Sequence, residues 1–172
     1  NYFINDIVYV ESTQDPAWQS APFNCTALEQ FFATHAGEIS ALIIEPIVQG
    51  AAGLKIISRD YLLQLISIAK SYQIHIIADE IMVGLGRLGC FSVCREILNF
   101  EPDLVCFAKN LTAGSIPMSC VVVNRSISQI YRERQQIFPH SHTHSCNALA
   151  AAVAVNYLEL LTNSDIFAQV KL

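Results

Sequence analysis

Apolar residues recur along this chain in two rhythms. Between 26 and 35, Ala27, Leu28, Phe31 and Phe32 fall three and four apart, the spacing of one helix face, with Asn24 or Thr26 in capping position. Residues 41–44 form a continuous apolar run that stops at Glu45-Pro46, the pattern of a strand buried on both faces. Gly50-Ala51-Ala52-Gly53 predicts a flexible loop. Ser58 opens a second helix, with Tyr61, Leu62, Leu65, Ile66 and Ala69 along one side. Further buried strands are predicted over 74–79, 103–108 and 119–123. Gly84, Gly86 and Gly89 interrupt the segment after the second strand, and a helix is predicted over 91–98. Ser126 starts a short helix towards Arg134. A polar, His-rich loop then leads to an Ala-rich helix over 147–161.

Strands that alternate with helices of ten or more residues, and that are apolar throughout, predict an α/β fold with a mainly parallel sheet flanked by helices. The connection between the last two strands is too short for a helical crossover. Those strands either pair antiparallel or lie apart in the sheet. No internal repeat, low-complexity tract or linker divides the chain, so 1–172 is read as one domain or part of one.

Composition sharpens this picture. The 172 residues are 52% hydrophobic and only 15% charged, which excludes a disordered chain and suggests surfaces that another domain or subunit covers. A net charge of −5 lacks the electrostatic footprint of a nucleic-acid binder. No apolar run approaches the ~18–20 residues that span a bilayer, so no membrane partner is expected. The first residues have neither the basic nor the apolar part of a signal peptide, and they do not begin with Met. Both ends read as interruptions in a longer sequence. Six cysteines, at 25, 90, 94, 106, 120 and 146, make no CxxC pair and lie mostly in apolar stretches. Buried thiols in a reducing, cytoplasmic setting are expected rather than disulfides or zinc.

Candidate chemistry sits where the apolar runs end. In open α/β sheets, ligands bind at the carboxyl ends of the strands. Glu45, Asp79-Glu80 and Lys109 each directly follow such a run. Alone, each charge marks no more than the point where a strand surfaces. Asp79 and Lys109 together are more specific. A partly desolvated lysine forms a Schiff base with an aldehyde, and an acid can hold a protonated ring nitrogen, which are the two needs of pyridoxal phosphate. Their separation of thirty residues fits one strand-helix-strand step. His140, His142 and His144 alternate in a metal-like pattern, but suitably spaced acidic or Cys ligands are lacking and no metal is expected. Gly84-x-Gly86-x-x-Gly89 follows a strand as a phosphate-binding loop would, which leaves a nucleotide-binding domain as a rival reading. That rival predicts no role for Lys109.

An ordered series of motifs resembles the class III pyridoxal-phosphate aminotransferases, of the fold-type I group. The series is Ile44-Glu45-Pro46 with Gln49-Gly50, Ile77-Ala78-Asp79-Glu80-Ile81, Gly84-Leu85-Gly86-Arg87-Leu88-Gly89, Pro102-Asp103-Leu104, Ala108-Lys109-Asn110-Leu111-Thr112-Ala113-Gly114 and His142-Thr143-His144-Ser145-Cys146-Asn147. The match is strongest over 41–161. The resemblance implies a partial large, cofactor-binding domain, with the upstream phosphate loop and stacking aromatic, and the downstream small domain, outside the chain. It implies that Lys109 is the Schiff-base lysine and proton carrier, and that Asp79 pairs with the pyridine nitrogen. Ile81 packs on a ring face, Gln49 lies in a loop near cofactor or substrate, and Thr143 donates to the cofactor phosphate across a homodimer interface. Glu80 becomes an orienting group and Arg87 a structural or interface charge. The glycine-rich segment becomes a turn into a helix.

The implied reaction moves an amino group from an amine or amino-acid donor to an aldehyde or ketone. The segments 49–53 and 109–114 look closest to the diaminopelargonate-forming aminotransferases of biotin synthesis, with 4-aminobutyrate and ornithine enzymes as the nearest rivals. Against an active enzyme stands a second expectation: a truncated, non-catalytic remnant, or one piece of a split enzyme that needs a complementary chain. The chain departs from the family pattern at Ala113 and Cys146, where glycine is common, and at Ala148, where proline is common. These are read as small changes that remove no chemistry.

Overall fold

The computed structural model describes residues 26–170. Helix α1 (Thr26–His35) covers the predicted span; Asn24, one of its two capping candidates, lies outside the described residues. Strand β1 (Ala41–Ile44) follows. Next comes a two-stranded antiparallel ribbon, β2 (Val48–Gln49) and β3 (Lys55–Ile56), where only a loop is predicted from sequence. Helix α2 (Arg59–Ser71) is capped by the Ser58 hydroxyl, which accepts from the Tyr61 amide. It buries Tyr61, Leu62, Leu65, Ile66 and Ala69, the five residues its periodicity singles out.

Strands β4 (His75–Asp79), β5 (Leu104–Phe107) and β6 (Cys120–Val123) complete the sheet, whose order is β1-β4-β5-β6. The β1–β4 and β4–β5 pairings are parallel, and β5–β6 is antiparallel. The short 108–119 connection therefore acts as a return rather than a crossover, which decides between the two arrangements left open by the sequence. Helix α3 (Val93–Glu96) is much shorter than the predicted 91–98. Helix α4 (Arg125–Glu133) starts one residue before the predicted Ser126 because Asn124 caps it, accepting from the Ile127 amide. Helix α5 (Ala148–Thr162) is capped by Asn147, and α6 (Ile166–Val170) adds a turn that the sequence pattern does not announce.

The core lies on one face of the sheet. Ile44, Ile76, Ala78, Val105 and Phe107 point into it, against Phe32, Leu62 and Ile66. Side chains alternate along a strand, so Ile43, Ile77, Asp79, Leu104 and Cys106 lie on the other face. That face is open among the described residues, and Ile43 is 61% exposed. The expectation of strands buried on both sides is thus met on one side only. Val121 and Val122 on β6 are also exposed. The cysteines divide similarly. Cys90 and Cys94 are buried, Cys106 and Cys120 half-buried, and Cys146 exposed, which corrects the expectation of a buried thiol for the last of these; Cys25 lies outside the described residues. No helix among the described residues is long and apolar enough to cross a membrane.

Candidate active site

Three loops gather at the carboxyl end of the parallel strands, the position where an α/β sheet offers its ligand crevice. The first follows β1. Glu45 Oε2 accepts from the Gly50 amide at 2.8 Å and so braces the β2–β3 ribbon that carries Gln49. Gly50 packs directly on the Met82 sulfur, which leaves no room for a side chain there and brings this ribbon against the loop after β4.

The second loop follows Asp79, the last residue of β4. Asp79 Oδ1 accepts from the Ile81 amide at 3.1 Å, which turns the chain and fixes the carboxylate at the strand end. Glu80, only 1% exposed, points the other way. Its two oxygens accept from the Ser92 hydroxyl (2.9 Å) and from the open amides of Val93 (2.8 Å) and Cys94 (2.9 Å) at the start of α3. This carboxylate satisfies those donors, and Glu96 Oε1 takes the Phe91 and Ser92 amides in turn. The strand-like entry to α3 is therefore pinned by side chains, which is why the helix does not begin at 91.

Between them, residues 84–90 form a closed turn. The Gly84 amide donates to Glu80 O, Leu85 N to Phe91 O, Gly86 N to Cys90 O, Arg87 N to Gly84 O and Gly89 N to Gly86 O. A phosphate-cradling loop needs amides that point outward. Here carbonyls of the turn and its flanks take the amides of Gly84, Leu85, Gly86, Arg87 and Gly89, which leaves no cradle for the nucleotide-binding reading of the glycine pattern. Gly84 also sits too close to Phe107 and the Glu80 carbonyl for any side chain.

The third loop carries Lys109. It leaves β5 through Ala108 and runs as a single 3₁₀ turn, Lys109–Thr112. Lys109 has φ +47°, a left-handed conformation that costs a non-glycine residue of order 1–3 kcal/mol. Leu111 and Thr112 anchor the turn in the core, against which α5 packs, and Thr112 Oγ1 donates to Ile116 O at 2.6 Å. Asp79 pairs with Cys106 across β4–β5, so Asp79 and Lys109 lie at neighbouring strand ends with Lys109 three residues further on. Among the described residues, neither the Lys109 amine nor Asp79 Oδ2 has a hydrogen-bond or ion-pair partner. Burial pushes the Cys106 thiol up from its ordinary range, and the Asp79 charge and the nearby Cys120 add to that effect.

The sequence-predicted residues thus separate into two groups. Asp79, Ile81 and Lys109 lie at the ends of β4 and β5, and Gln49 lies on the ribbon whose Gly50 packs on Met82 of the loop after β4. Thr143 lies in an exposed turn at 142–146, where the Ser145 hydroxyl accepts from the His142 amide, and no described contact joins it to Asp79 or Lys109. Lys109 is exposed rather than desolvated, because no described segment packs over the open face of the sheet. His140, His142 and His144 form an exposed row with ring centres 6.2 and 6.4 Å apart, and no metal-holding cluster of three ligands exists among the described residues. Asn110 escaped sequence reasoning. Its carboxamide bridges the second and third loops, accepting from Arg87 Nη2 at 3.2 Å and donating to Leu85 O at 3.3 Å.

The family profile described as Aminotransferase class-III matches residues 4–172. An adenosylmethionine-8-amino-7-oxononanoate aminotransferase of Synechococcus elongatus is 37% identical over 145 residues, covering 83% of this chain and 34% of that protein. A gamma aminobutyrate transaminase 2 of Solanum lycopersicum is 37% identical over 131 residues, covering 74% and 28%. Among solved structures, the omega-transferase of Vibrio fluvialis JS17 superposes with a TM-score of 0.75 at 26% identity, over 90% of this chain and 39% of that one. The chain spans about a third of the length of the curated relatives it matches.

Proposed function

The chain belongs to the class III aminotransferases, and from that premise we propose that it holds the lysine and the ring-nitrogen carboxylate of a pyridoxal-phosphate-dependent transaminase. Class III aminotransferases are pyridoxal-phosphate enzymes, and when bound the cofactor supplies an electrophilic aldehyde and an electron-withdrawing ring. The observation that carries the proposal is the placement of Asp79 and Lys109 at adjacent parallel strand ends, each with polar atoms that no described residue occupies.

The residues present fit two ends of that cofactor. Lys109 Nζ would hold its aldehyde carbon. Asp79 Oδ2 would accept from its ring N–H, while Oδ1 stays engaged with the Ile81 amide. The neighbouring Cys106 thiol stays neutral and leaves Asp79 the negative charge on that part of the sheet. Ile81 offers an apolar surface beside the carboxylate, and Gln49 offers a carboxamide from the ribbon braced by Glu45. In this reading Lys109 would also move a proton at its own amine. Thr143 remains a phosphate ligand by resemblance, and the role assigned to it in that pattern lies across a homodimer interface.

The substrates proposed are an amine or amino-acid donor and an aldehyde or ketone acceptor. Relatives bearing the adenosylmethionine-8-amino-7-oxononanoate aminotransferase name favour a place in biotin synthesis, and the free cysteines among the described residues favour the cytoplasm. The exposure of Lys109 supports a further element of this reading. Another segment or a second subunit covers the open face and completes the pocket, as a split enzyme would require.

The test is a pyridoxal-phosphate titration of the full chain, read by visible absorbance and by borohydride trapping, with Lys109→Ala as control. A trapped adduct mapped to Lys109 and lost in the variant supports the proposal. Adducts spread over other lysines, or none, would overturn cofactor holding by this chain and leave a non-catalytic remnant or one piece of a split enzyme.

A further inference from the structure

Lys109 and the turn after Asp79 are held together by one side chain that the family motif does not explain. Asn110 directly follows Lys109 and sits in the same 3₁₀ turn. Its Nδ2 donates to the carbonyl of Leu85 at 3.3 Å, and its Oδ1 accepts from Arg87 Nη2 at 3.2 Å. These partners lie 25 and 23 residues away along the chain. Leu85 is itself left-handed, with φ +53°, as Lys109 is at +47°. Two strained turns therefore meet at a single carboxamide. The geometry asks for a donor and an acceptor on two separate atoms of one short side chain, and the Asn carboxamide supplies them as Nδ2 and Oδ1. The far side of the Leu85 turn is already fixed, because its amide donates to Phe91 O and the Gly86 amide to Cys90 O. Gly86 in turn packs against Leu161 of α5 and Phe167 of α6. The clamp thus ties Lys109 to a rigid support rather than to a free loop.

We propose that Asn110 is a positioning residue for Lys109. Its carboxamide locks the Lys109 turn to the Gly84–Gly89 turn and so keeps the amine in register with Asp79. The inference rests on the reading of Lys109 as the cofactor-holding lysine. A strained conformation persists only where its surroundings over-determine it, and Asn110 supplies that determination at the one residue whose position sets the reaction geometry. A small misplacement of a reacting group lowers rate more than it lowers stability.

The test compares wild type, Asn110→Ala and Asn110→Asp in the full chain. Asp keeps an acceptor for Arg87 and loses the donor to Leu85, whereas Ala loses both. Three readouts are taken: amide hydrogen exchange at Leu111 and Ala113 without cofactor, the rate of borohydride-trapped adduct formation at Lys109 with saturating pyridoxal phosphate, and, in the complete enzyme, kcat against KM for transamination. The expected result for Asn110→Ala is faster exchange at both amides and about tenfold slower trapping. A lower kcat with little change in KM is expected alongside an unfolding midpoint close to wild type. Asn110→Asp falls between the two. Wild-type trapping and exchange in Asn110→Ala would overturn the positioning role while leaving the reading of Lys109 intact. If Asn110→Ala fails to fold, the exchange and trapping rates of Asn110→Asp decide by the same criteria. If wild type itself forms no adduct at Lys109, the reading of Lys109 falls, and the positioning role falls with it.

Discussion

Asp79 and Cys106 face each other across the parallel pair β4–β5, so both side chains leave the same open face of the sheet. The thiol is held neutral there by burial first and by the Asp79 charge second. A cation in its place would pair with Asp79 and compete with the cofactor's ring nitrogen. Cys106→Arg is therefore expected to weaken pyridoxal-phosphate binding about tenfold or more. Cys106→Ser, which adds no charge, is expected to leave it near wild type. Cofactor titration of both variants checks this, and equal affinity for the two would show that Asp79 does not meet the ring nitrogen.

Asp79→Asn separates the two duties of that side chain. The amide oxygen still accepts from the Ile81 amide, so the turn after β4 survives. The negative charge is lost, and with it the stabilisation of a protonated ring. Transamination by the complete enzyme is expected to fall by about 10²–10³-fold, with the folded state preserved. Circular dichroism together with steady-state rates separates this from simple unfolding.

Glu80 differs from its neighbour in burial and in what it holds. Removing its carboxylate leaves Ser92 Oγ and the amides of Val93 and Cys94 without their acceptor in a buried site. Glu80→Ala is expected to cost about 3 kcal/mol or more, because each buried donor left unmade costs ~1–3 kcal/mol. Glu80→Gln retains one oxygen but turns an NH₂ towards amide donors, and should fall between the two. Denaturant midpoints measure the difference. A loss under about 0.5 kcal/mol for the Ala variant would contradict the hydrogen-bond pattern.

Much of this architecture is written in local pattern, and the parts that are not share a physical cause. The four sheet strands and α2 follow from apolar runs and from a capped helical face, because burial of those runs dominates their choice of conformation. The β2–β3 ribbon is two residues on each side, too short for any period to register. Helix α3 is trimmed by Glu80 and Glu96, whose contacts reach across the loop. Asp79 and Lys109 are legible because a charge at the end of an apolar run is conspicuous. Asn110 is not, because its partners lie more than twenty residues upstream and nothing in its neighbourhood marks them. The exposure of Lys109 is equally illegible, since the sequence does not tell which face of the sheet is covered.

The two glycine-to-larger departures also gain a meaning that spacing alone does not give. Ala113 has φ +52° and Cys146 φ +58°, both in the left-handed region that glycine enters freely. Ala113 is exposed and ends the Lys109 turn. Ala113→Gly is expected to relieve part of the ~1–2 kcal/mol left-handed penalty, offset by glycine's greater unfolded-state entropy, for a net gain of about 0.5–1 kcal/mol. Cys146→Gly should behave alike. Thermal unfolding of each variant tests this, and a destabilised Ala113→Gly would show that the turn relaxes in solution.

Cys94 is expected to steepen the loss of stability at alkaline pH. It is fully buried, and its thiol is pushed far above the ordinary 9.0, by burial first, then by the Glu80 charge and hydrogen bond, then by Cys90. As pH rises through 9.0, the unfolded chain releases this proton while the folded chain keeps it. The folded state then binds more protons than the unfolded state, so stability is fully present below that pH and declines above it. One such thiol contributes a slope of up to about 1.4 kcal/mol per pH unit. Cys106 and Cys120, raised in the same direction by burial, add smaller contributions of the same sign. Cys94→Ala removes the largest of these. Its denaturant midpoint is expected to be lower than wild type at neutral pH, from the lost packing, yet to fall less steeply above pH 9. Parallel slopes for the two proteins would mean that Cys94 ionises in the folded state, and that Glu80 does not keep its proton in place.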